Sequence, residues 1–272
     1  MAIEYAAKYA GKVDERFTIA SMTAQAVNND YEFTGVDTVK VYSVPTVALN
    51  DYELTGLSRY GTPSDLQNET QTLVLSQDKA FTFVIDRKSL DDTQGAMEAG
   101  RALRRQVDEV IIPTVDKYRL NVMAENAGKS ATGTISKTNA YAALLEGTGA
   151  LLEAGAPMTG RIAYVTPAFY AAIKQDSSFV RSGDASQEML VRGSVGVVDG
   201  VNIIPVPTTY LPSGTNFILT HKMATVSPIK LESYKIHDNP PGINGKLVEG
   251  RIRYDAFVLK NKAAAVFVHK NA

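Results

Sequence analysis

Residues 89–127 read SLDDTQGAMEAGRALRRQVDEVIIPTVDKYRLNVMAENA. The apolar side chains recur every three or four positions, as on one face of an α-helix; they are Leu103, Val107, Val110, Ile111, Val115, Tyr118 and Val122. The charged positions between them are expected on the exposed surface; they are Arg101, Arg104, Arg105, Asp108, Glu109 and Asp116. Ser89 can cap the start, and Asn126-Ala127-Gly128 favours an end. The pattern therefore predicts a helix over 89–127, about 57 Å long.

Pro113 interrupts this pattern. A proline inside a helix removes one backbone hydrogen bond and costs on the order of 3 kcal/mol, or it kinks the helix. Two interpretations remain open: one long helix that tolerates the proline, or two abutting helices that join there. Either one is longer than a compact globule of this size accommodates, which indicates a flat or elongated subunit.

Two strands precede the helix, around Val39–Ser43 and Ala80–Asp86, where side chains alternate between apolar and polar. The connection between them, especially residues 48–72, is polar and rich in turn-forming residues, with scattered large apolar side chains. Connections of this length are uncommon in compact domains and are usually functional or disordered. Such a segment cannot bury its own leucines and tyrosines, so another chain must cover them or they stay exposed.

An α/β unit is predicted after the helix, over residues 137–219. Its expected elements are a helix over 140–154 capped by Asn139, a strand over 162–165, a helix from Thr166-Pro167 to Gln175, a hairpin around Asp199-Gly200 and a strand over 216–220. Residues 220–272 follow as β structure, with strands over 229–236, 247–259 and 263–268. A turn-rich tip that contains Pro240 and Pro241 joins the first two.

Composition excludes several classes of protein. A formal charge of −1 over 272 residues argues against a dedicated nucleic-acid binder, and the absence of cysteine excludes disulfides and thiolate sites. No apolar run approaches the roughly 18–20 residues that span a membrane, and residues 1–30 lack a signal peptide. These observations predict a soluble protein that does not enter a membrane.

No pattern in the sequence indicates a catalytic, cofactor or metal site. Ala127-Gly128-Lys129-Ser130 resembles the end of a phosphate-binding loop, but Met123 stands where the motif needs its first glycine, and a helix end explains the sequence better. The three histidines are far apart in sequence and none has metal-type spacing. Asp91 and Asp92 fit the helix dipole at the start of a helix. The sequence therefore predicts no catalytic residue, no cofactor and no metal.

The order of these elements resembles the Hong Kong 97-type major capsid protein of tailed bacteriophages, over essentially the whole chain. The stretches that carry the resemblance are 102–108 (ALRRQVD), 161–167 (RIAYVTP), 200–206 (GVNIIPV) and 250–255 (GRIRYD). The resemblance implies an α+β fold with an N-terminal arm, an extended β-hairpin loop, a long spine helix, an α/β axial domain and a peripheral β-sheet. It divides the chain into an arm (1–37), a first peripheral part (38–136) with the extended loop at 44–79 and the spine helix at 89–127, an axial domain (137–219) and a second peripheral part (220–272).

The resemblance also implies a function without an active site. Copies would form hexamers and pentamers of an icosahedral phage head around double-stranded DNA, with a separate scaffolding protein, a portal and a decoration protein as further partners. The protein would reside in the virion, and in the host cytoplasm before assembly. Contacts between subunits are expected at nine residues: Leu49, Tyr52, Leu54, Leu57, Arg59, Tyr60, Leu66, Pro240 and Pro241.

Two departures and three alternatives accompany this prediction. Residues 41–78 contain no lysine, so we expect no lysine–asparagine cross-link of the kind some relatives form there. The sequence starts directly at a short arm, which is why a separate scaffolding protein is expected. The alternatives are an encapsulin-like shell, another virion component, or an enzyme built on the unit at 137–219, which the lack of convergent catalytic groups disfavours.

Overall fold

The computed structural model describes residues 21–28, 38–43, 47–63, 65, 69–88, 99–177 and 196–272. They form two compact units, one made of the described residues between Glu32 and Leu75 and one that holds the others. The predicted arm (1–37) is described only at residues 21–28, and the predicted start of the long helix at Ser89 lies outside the described residues.

The smaller unit is an antiparallel ribbon with a long connection. Strand β1 (Thr38–Ser43) pairs with β2 (Glu69–Val74), with Thr38 opposite Val74 and Ser43 opposite Glu69. Strand β2 therefore lies within the range of 44–79 that was predicted for the extended loop. The alternating β-branched side chains of ETQTLV favour this strand.

The larger unit contains a six-stranded mixed sheet, in the order β4-β13-β8-β5-β7-β6. Its strands are β4 (Lys129–Thr132), β5 (Arg161–Val165), β6 (Val197–Val198), β7 (Val201–Pro205), β8 (Thr215–His221) and β13 (Val266–Lys270). The predicted axial range of 137–219 supplies only four of them. The other two strands lie outside that range: β4 precedes it in the sequence and β13 follows it. These two strands pair with each other in parallel.

Helices cover both faces of this sheet. Helices α3 (Ala140–Glu153) and α4 (Pro167–Gln175) pack on one face around Leu144, Phe169 and Phe217. Thr166 caps α4 by accepting a hydrogen bond from Phe169 N, as predicted, whereas the Asn139 side chain bonds to Ser136 instead of capping α3. On the other face lies α2 (Ile112–Glu125), which contributes Leu120 and Met123 to the core.

A second sheet of three antiparallel strands has the order β10-β11-β3. Its strands are β3 (Gln77–Asp86), β10 (Ile229–Asp238) and β11 (Gly245–Tyr254), which confirms the predicted strands around 80–86 and 229–236. The strand predicted over 247–259 ends earlier, at Tyr254. Helix α1 (Ala99–Gln106) packs on this sheet through Ala99, Ala102 and Leu103. A small ribbon of β9 (Thr225–Val226) and β12 (Phe257–Val258) follows, and residues Lys260–Ala265 form a 3₁₀ helix where a strand was expected to begin.

Helices α1 and α2 are parts of one helical run, joined by a π-helical turn at Val107–Ile111. The N–H of Ile112 bonds to the Val107 carbonyl, and the Thr114 hydroxyl donates to the Val110 carbonyl at 2.6 Å. The turn thus accommodates Pro113. Over the described residues 99–125, the single helix is the interpretation that the structure supports. The π turn also inserts one residue, so that Val110, predicted to face inward, is 48% exposed.

Candidate inter-subunit surfaces

The loop between β1 and β2 is shaped by internal contacts over residues 47–63. Glu53 N donates to the Arg59 carbonyl at 3.1 Å, and Gly61 N donates to the Ser58 carbonyl at 3.0 Å. The rings of Tyr52 and Tyr60 meet edge to face, with their centroids 5.1 Å apart. These contacts lie within the loop, so it presents its outer side chains from a defined backbone.

Most of the predicted contact residues of this loop are exposed apolar groups. Leu49 and Leu57 are fully exposed, Leu54 is 82% exposed and Tyr60 is 84% exposed. The Arg59 guanidinium donates to the Gly56 carbonyl at 3.3 Å and so helps to shape the tip. Leu66 lies outside the described residues. Burying each leucine against another surface would contribute about 1.5–3 kcal/mol.

The predicted tip at Pro240 and Pro241 is a tight turn in the hairpin of β10 and β11. Ile243 N donates to the Pro240 carbonyl at 3.0 Å, and Gly242 takes the positive φ of 82° that this turn requires. Pro240 is half-buried and Pro241 is exposed. The tip is therefore rigid, and it lies in the larger unit, whereas the other described contact residues lie in the smaller one.

A further apolar surface was not predicted. Helix α3 exposes Leu145 and Leu152, two turns apart with the exposed Gly149 between them, and Leu152 is 55% exposed. Met158 and Val197 are also exposed large apolar side chains. The signal was present in the sequence AYAALLEGTGALLE, which carries leucines on both the buried and the outer face of the helix.

A buried polar cluster lies where residues 21–28, called here the N-terminal segment, cross α2. Asp116 is only 2% exposed, and its carboxylate accepts hydrogen bonds from the Ser21 hydroxyl at 2.8 Å, from Met22 N at 2.9 Å and from the Thr23 hydroxyl. The prediction that Asp116 lies on the surface is therefore wrong. The N-terminal segment covers this face of the helix, which helical periodicity alone does not reveal.

Arg119 lies one turn further along α2 and is also buried. It donates to the Thr23 hydroxyl at 3.0 Å and to the Ser227 hydroxyl at 2.8 Å, and its Nη1 is 3.8 Å from Asp116 Oδ1. Burial lowers the pKa of Arg119, whereas the charge of Asp116 acts in the opposite direction. The Ser227 hydroxyl in turn donates a hydrogen bond to the Asp255 carbonyl at 2.6 Å.

The Asp255 carboxylate joins the helix to the three-stranded sheet. It accepts hydrogen bonds from the Tyr118 hydroxyl at 2.8 Å and from Ser76 N at 2.7 Å, just before β3 begins. Tyr118 also packs edge to face against Tyr254 of β11, with ring centroids 5.5 Å apart. These contacts connect α2 to the three-stranded sheet.

A second buried cation supports the end of α3. Arg161 donates to the carbonyls of Thr148, Ala156 and Pro157 at 3.1, 2.8 and 2.8 Å. Beside it, His221 bonds to the Thr159 carbonyl at 2.9 Å and accepts from Met223 N at 3.3 Å. Burial is the main cause that lowers the pKa of His221. The hydrogen bonds of both side chains thus go to backbone groups.

Two further features are absent from the described residues. Among them, no group of His, Asp or Glu could hold a metal ion, and no helix is long and apolar enough to cross a bilayer. Gly128 follows a helix, as predicted, and its N–H bonds to the Ala263 carbonyl at 2.9 Å. A Cβ on Gly128 would lie 2.6 Å from the Ala263 backbone, so close packing explains this glycine.

Comparison with known proteins gives one family and many structures. A family model described as phage capsid protein matches residues 69–268. A solved chain from Mycobacterium phage Che8 is similar with a TM-score of 0.76 at 18% identity, covering 96% of this chain and 95% of that one. The capsid structure of cyanophage P-SCSP1u gives 0.76 at 14% identity, covering 98% and 93%. A chain from Microbacterium phage Oxtober96 gives 0.69 at 11% identity, covering 98% and 96%. No curated protein matches the sequence.

Proposed function

The chain belongs to the phage capsid protein family, and from that premise we propose how its surfaces build the shell. Family membership makes it a structural subunit of a phage head that resides in the virion and associates with its own copies in capsomers. The resemblance to tailed-phage capsid proteins that the sequence indicated is thereby confirmed. The family and the fold imply a structural, non-enzymatic role.

We propose that the loop over 47–63 binds a neighbouring copy. The observation that carries this proposal is the exposure of Leu49, Leu54 and Leu57 on a loop that holds its own shape. Large apolar side chains presented together on a preformed surface are typical of protein–protein contacts. A loop that is already ordered also loses little conformational entropy on binding, which favours affinity.

The hairpin tip at Pro240 and Pro241 and the outer face of α3 are proposed as further contacts between copies. A closed ring of identical subunits needs two different complementary surfaces on each subunit, because every contact in the ring is head-to-tail. We propose hexamers and pentamers arranged as an icosahedral shell around double-stranded DNA. The near-neutral chain suits a shell, since many copies can approach without long-range repulsion.

The remaining partners are also part of the proposal. Contact with packaged DNA would be non-specific, because acidic and basic side chains are nearly equal in number. A scaffolding protein, a portal and a decoration protein are proposed partners, and the host cytoplasm is the proposed location before assembly. The encapsulin-like alternative would be favoured if purified particles held an enzyme in place of nuclease-protected DNA.

A site-specific cross-link tests the proposed role of the loop. The chain contains no cysteine, so Leu54→Cys creates a single attachment point for a thiol-directed photo-cross-linker. In assembled particles we expect a product of two chains, with the second attachment site in a different copy. Unassembled subunits carrying the same label serve as the control and should give no such product. Cross-links confined to one chain in assembled particles would contradict the proposal.

A further inference from the structure

The N-terminal segment (21–28) is held on the larger unit by three kinds of contact. At its start, Ser21, Met22 and Thr23 all donate to Asp116. In its middle, Ala26 and Val27 are buried in the core that contains Leu120 and Met123 of α2. At its end, Asn28 N donates to the Thr225 carbonyl at 2.8 Å, beside β9. The segment therefore contacts the rest of the larger unit at its start, in its middle and at its end.

Water cannot readily replace the hydrogen bonds that residues 21–23 make to the buried charged groups. Asp116 and Arg119 are both buried, and they are 3.8 Å apart at their nearest atoms, beyond a normal hydrogen bond. Thr23 bridges them, because its hydroxyl donates to Asp116 and accepts from Arg119 Nη1. If the segment left its groove, the carboxylate would lose all three of its donors from this segment. Buried charges without partners are strongly disfavoured, so the pair holds the segment in place.

Two other contacts fix the direction in which the segment lies. The Tyr164 hydroxyl of β5 donates to the Met22 carbonyl at 3.0 Å. The Asn202 amide of β7 donates to Gln25 Oε1 at 3.4 Å. The segment is therefore bound to the helix and to the six-stranded sheet, which leaves it one orientation on the body.

We propose that Asp116 and Arg119 are positioning residues for shell assembly: they lock the N-terminal segment onto α2 and so fix the position of the predicted arm (1–37), of which this segment is a part. The resemblance to tailed-phage capsid proteins implies that this arm reaches a neighbouring subunit. This inference rests on the proposed function. We infer that release of the segment impairs assembly beyond the effect of any loss of fold stability. The 21–28 groove is a contact within one chain, whereas the surfaces proposed above are contacts between chains.

Thr23 offers a variant that breaks the lock with little change in shape. Thr23→Val keeps the volume and removes the bridging hydroxyl, whereas Thr23→Ser keeps the hydroxyl. Thr148→Val is the matched control, because Thr148 is also buried but its hydroxyl donates only to the Leu144 carbonyl of its own helix, at 2.9 Å. All three variants are made in the full chain.

The first readout is amide hydrogen exchange of a peptide covering 21–28 in unassembled subunits. Thr23→Val should speed its exchange by about tenfold or more, whereas Thr23→Ser and Thr148→Val should leave it within about twofold of the wild type. The second readout is the fraction of protein in closed shells, measured by sedimentation and electron microscopy at equal concentration. Thr23→Val should lose most closed shells, and the other two should assemble as the wild type does.

Each contrary result has a distinct meaning. Unchanged exchange in Thr23→Val would show that the bridge does not hold the segment. Faster exchange with normal shells would show that assembly does not need the lock, and equal assembly defects in Thr148→Val would show a general loss of stability. Any of these overturns the inference while wild-type shells still support the proposed function. Failure of the wild type to form particles would instead overturn the proposed function, and the exchange comparison would still decide whether Thr23 holds the segment.

Discussion

The backbone N–H of Met22 donates a 2.9 Å hydrogen bond to the buried carboxylate of Asp116, 94 residues further along the chain. This contact places the N-terminal segment on a helix that also packs against both sheets of the larger unit. Val115 and Tyr118 of α2 contact the three-stranded sheet, whereas Leu120 and Met123 contact the six-stranded sheet. Asp116 lies next to Val115, so its hydrogen bonds hold the segment on a helix that packs against both sheets.

Replacing Asp116 should therefore destabilise the subunit strongly. Asp116→Ala leaves Arg119 buried without its nearest carboxylate and removes the acceptor of three hydrogen bonds. Breaking a buried ion pair from one side costs about 3–5 kcal/mol, and we expect a loss of that size in the free energy of unfolding. Urea unfolding followed by far-ultraviolet circular dichroism measures it, since the chain has no tryptophan.

Glu109→Ala is the control for this prediction. Glu109 pairs with Arg105 on the same helical run at 2.9 Å, and the Arg105 side chain is 41% exposed. Partly exposed pairs of this kind contribute about 0–1 kcal/mol. Equal losses in the two variants would show that the burial of Asp116 has no special importance.

His221 should make the stability of the subunit fall in mild acid. Burial lowers its pKa from the ordinary value of 6.5, and the nearby cations Lys222, Arg161 and Lys262 act in the same direction, whereas its bond to the Thr159 carbonyl opposes them. The unfolded chain then binds the proton more tightly than the folded protein. The contribution of His221 to the free energy of unfolding is present above about pH 6.5. It is lost as the pH falls from there through the pKa of His221 in the folded protein.

The comparison of wild type with His221→Gln isolates this contribution. Burial also lowers the pKa of His269, so the wild-type profile alone does not assign the effect to one residue. We expect the melting temperature of His221→Gln to fall less between pH 7 and pH 5 than that of the wild type. Parallel profiles would mean that His221 does not contribute.

Two glycines of the β10–β11 hairpin should respond very differently to alanine. A Cβ on Gly245 would lie 2.1 Å from the Ile85 carbonyl oxygen and 2.9 Å from the Asp86 Cα, which are backbone atoms of the paired strand. A Cβ on Gly242 would meet nothing within 4 Å, so only its φ of 82° opposes the substitution. We expect Gly242→Ala to cost about 1–2 kcal/mol and Gly245→Ala at least about 2 kcal/mol more. Urea midpoints give both values, and similar midpoints would contradict the close approach.

Leu57 should matter for assembly and not for folding. Leu57→Glu places a charge where we propose an apolar contact with a neighbour, whereas Leu57→Met keeps an apolar side chain of similar size. Because Leu57 is fully exposed in the subunit, both variants should unfold within about 0.5 kcal/mol of the wild type. Sedimentation should show loss of particles for Leu57→Glu alone. Normal assembly of that variant would remove Leu57 from the proposed interface.

Local sequence signals were sufficient for several elements of the fold. Asp199-Gly200 takes the two positive φ angles, 48° and 75°, of the predicted hairpin turn. Thr166-Pro167 starts α4 as expected, because the hydroxyl and the fixed proline φ act within one turn. The exposed leucines of the long loop were also predictable, since the residues around them are too polar to bury them.

Features that depend on distant residues were not predicted. Strand β4 has the polar sequence KSAT, and it is a strand because β13, far along the chain, pairs with it. Asp116 looked like a surface residue because helical periodicity does not include what the N-terminal segment covers. The π turn at 107–111 shifts the buried face of the helix, and a regular period cannot anticipate an inserted residue.

Electron microscopy of the purified full-length protein tests the central claim most directly. We expect closed shells or open rings of five and six subunits, seen as particles of uniform size and as fast-sedimenting species. A stable monomer at every concentration and salt condition tested, with no particles in the micrographs, would contradict the assignment of this chain as a self-assembling head subunit.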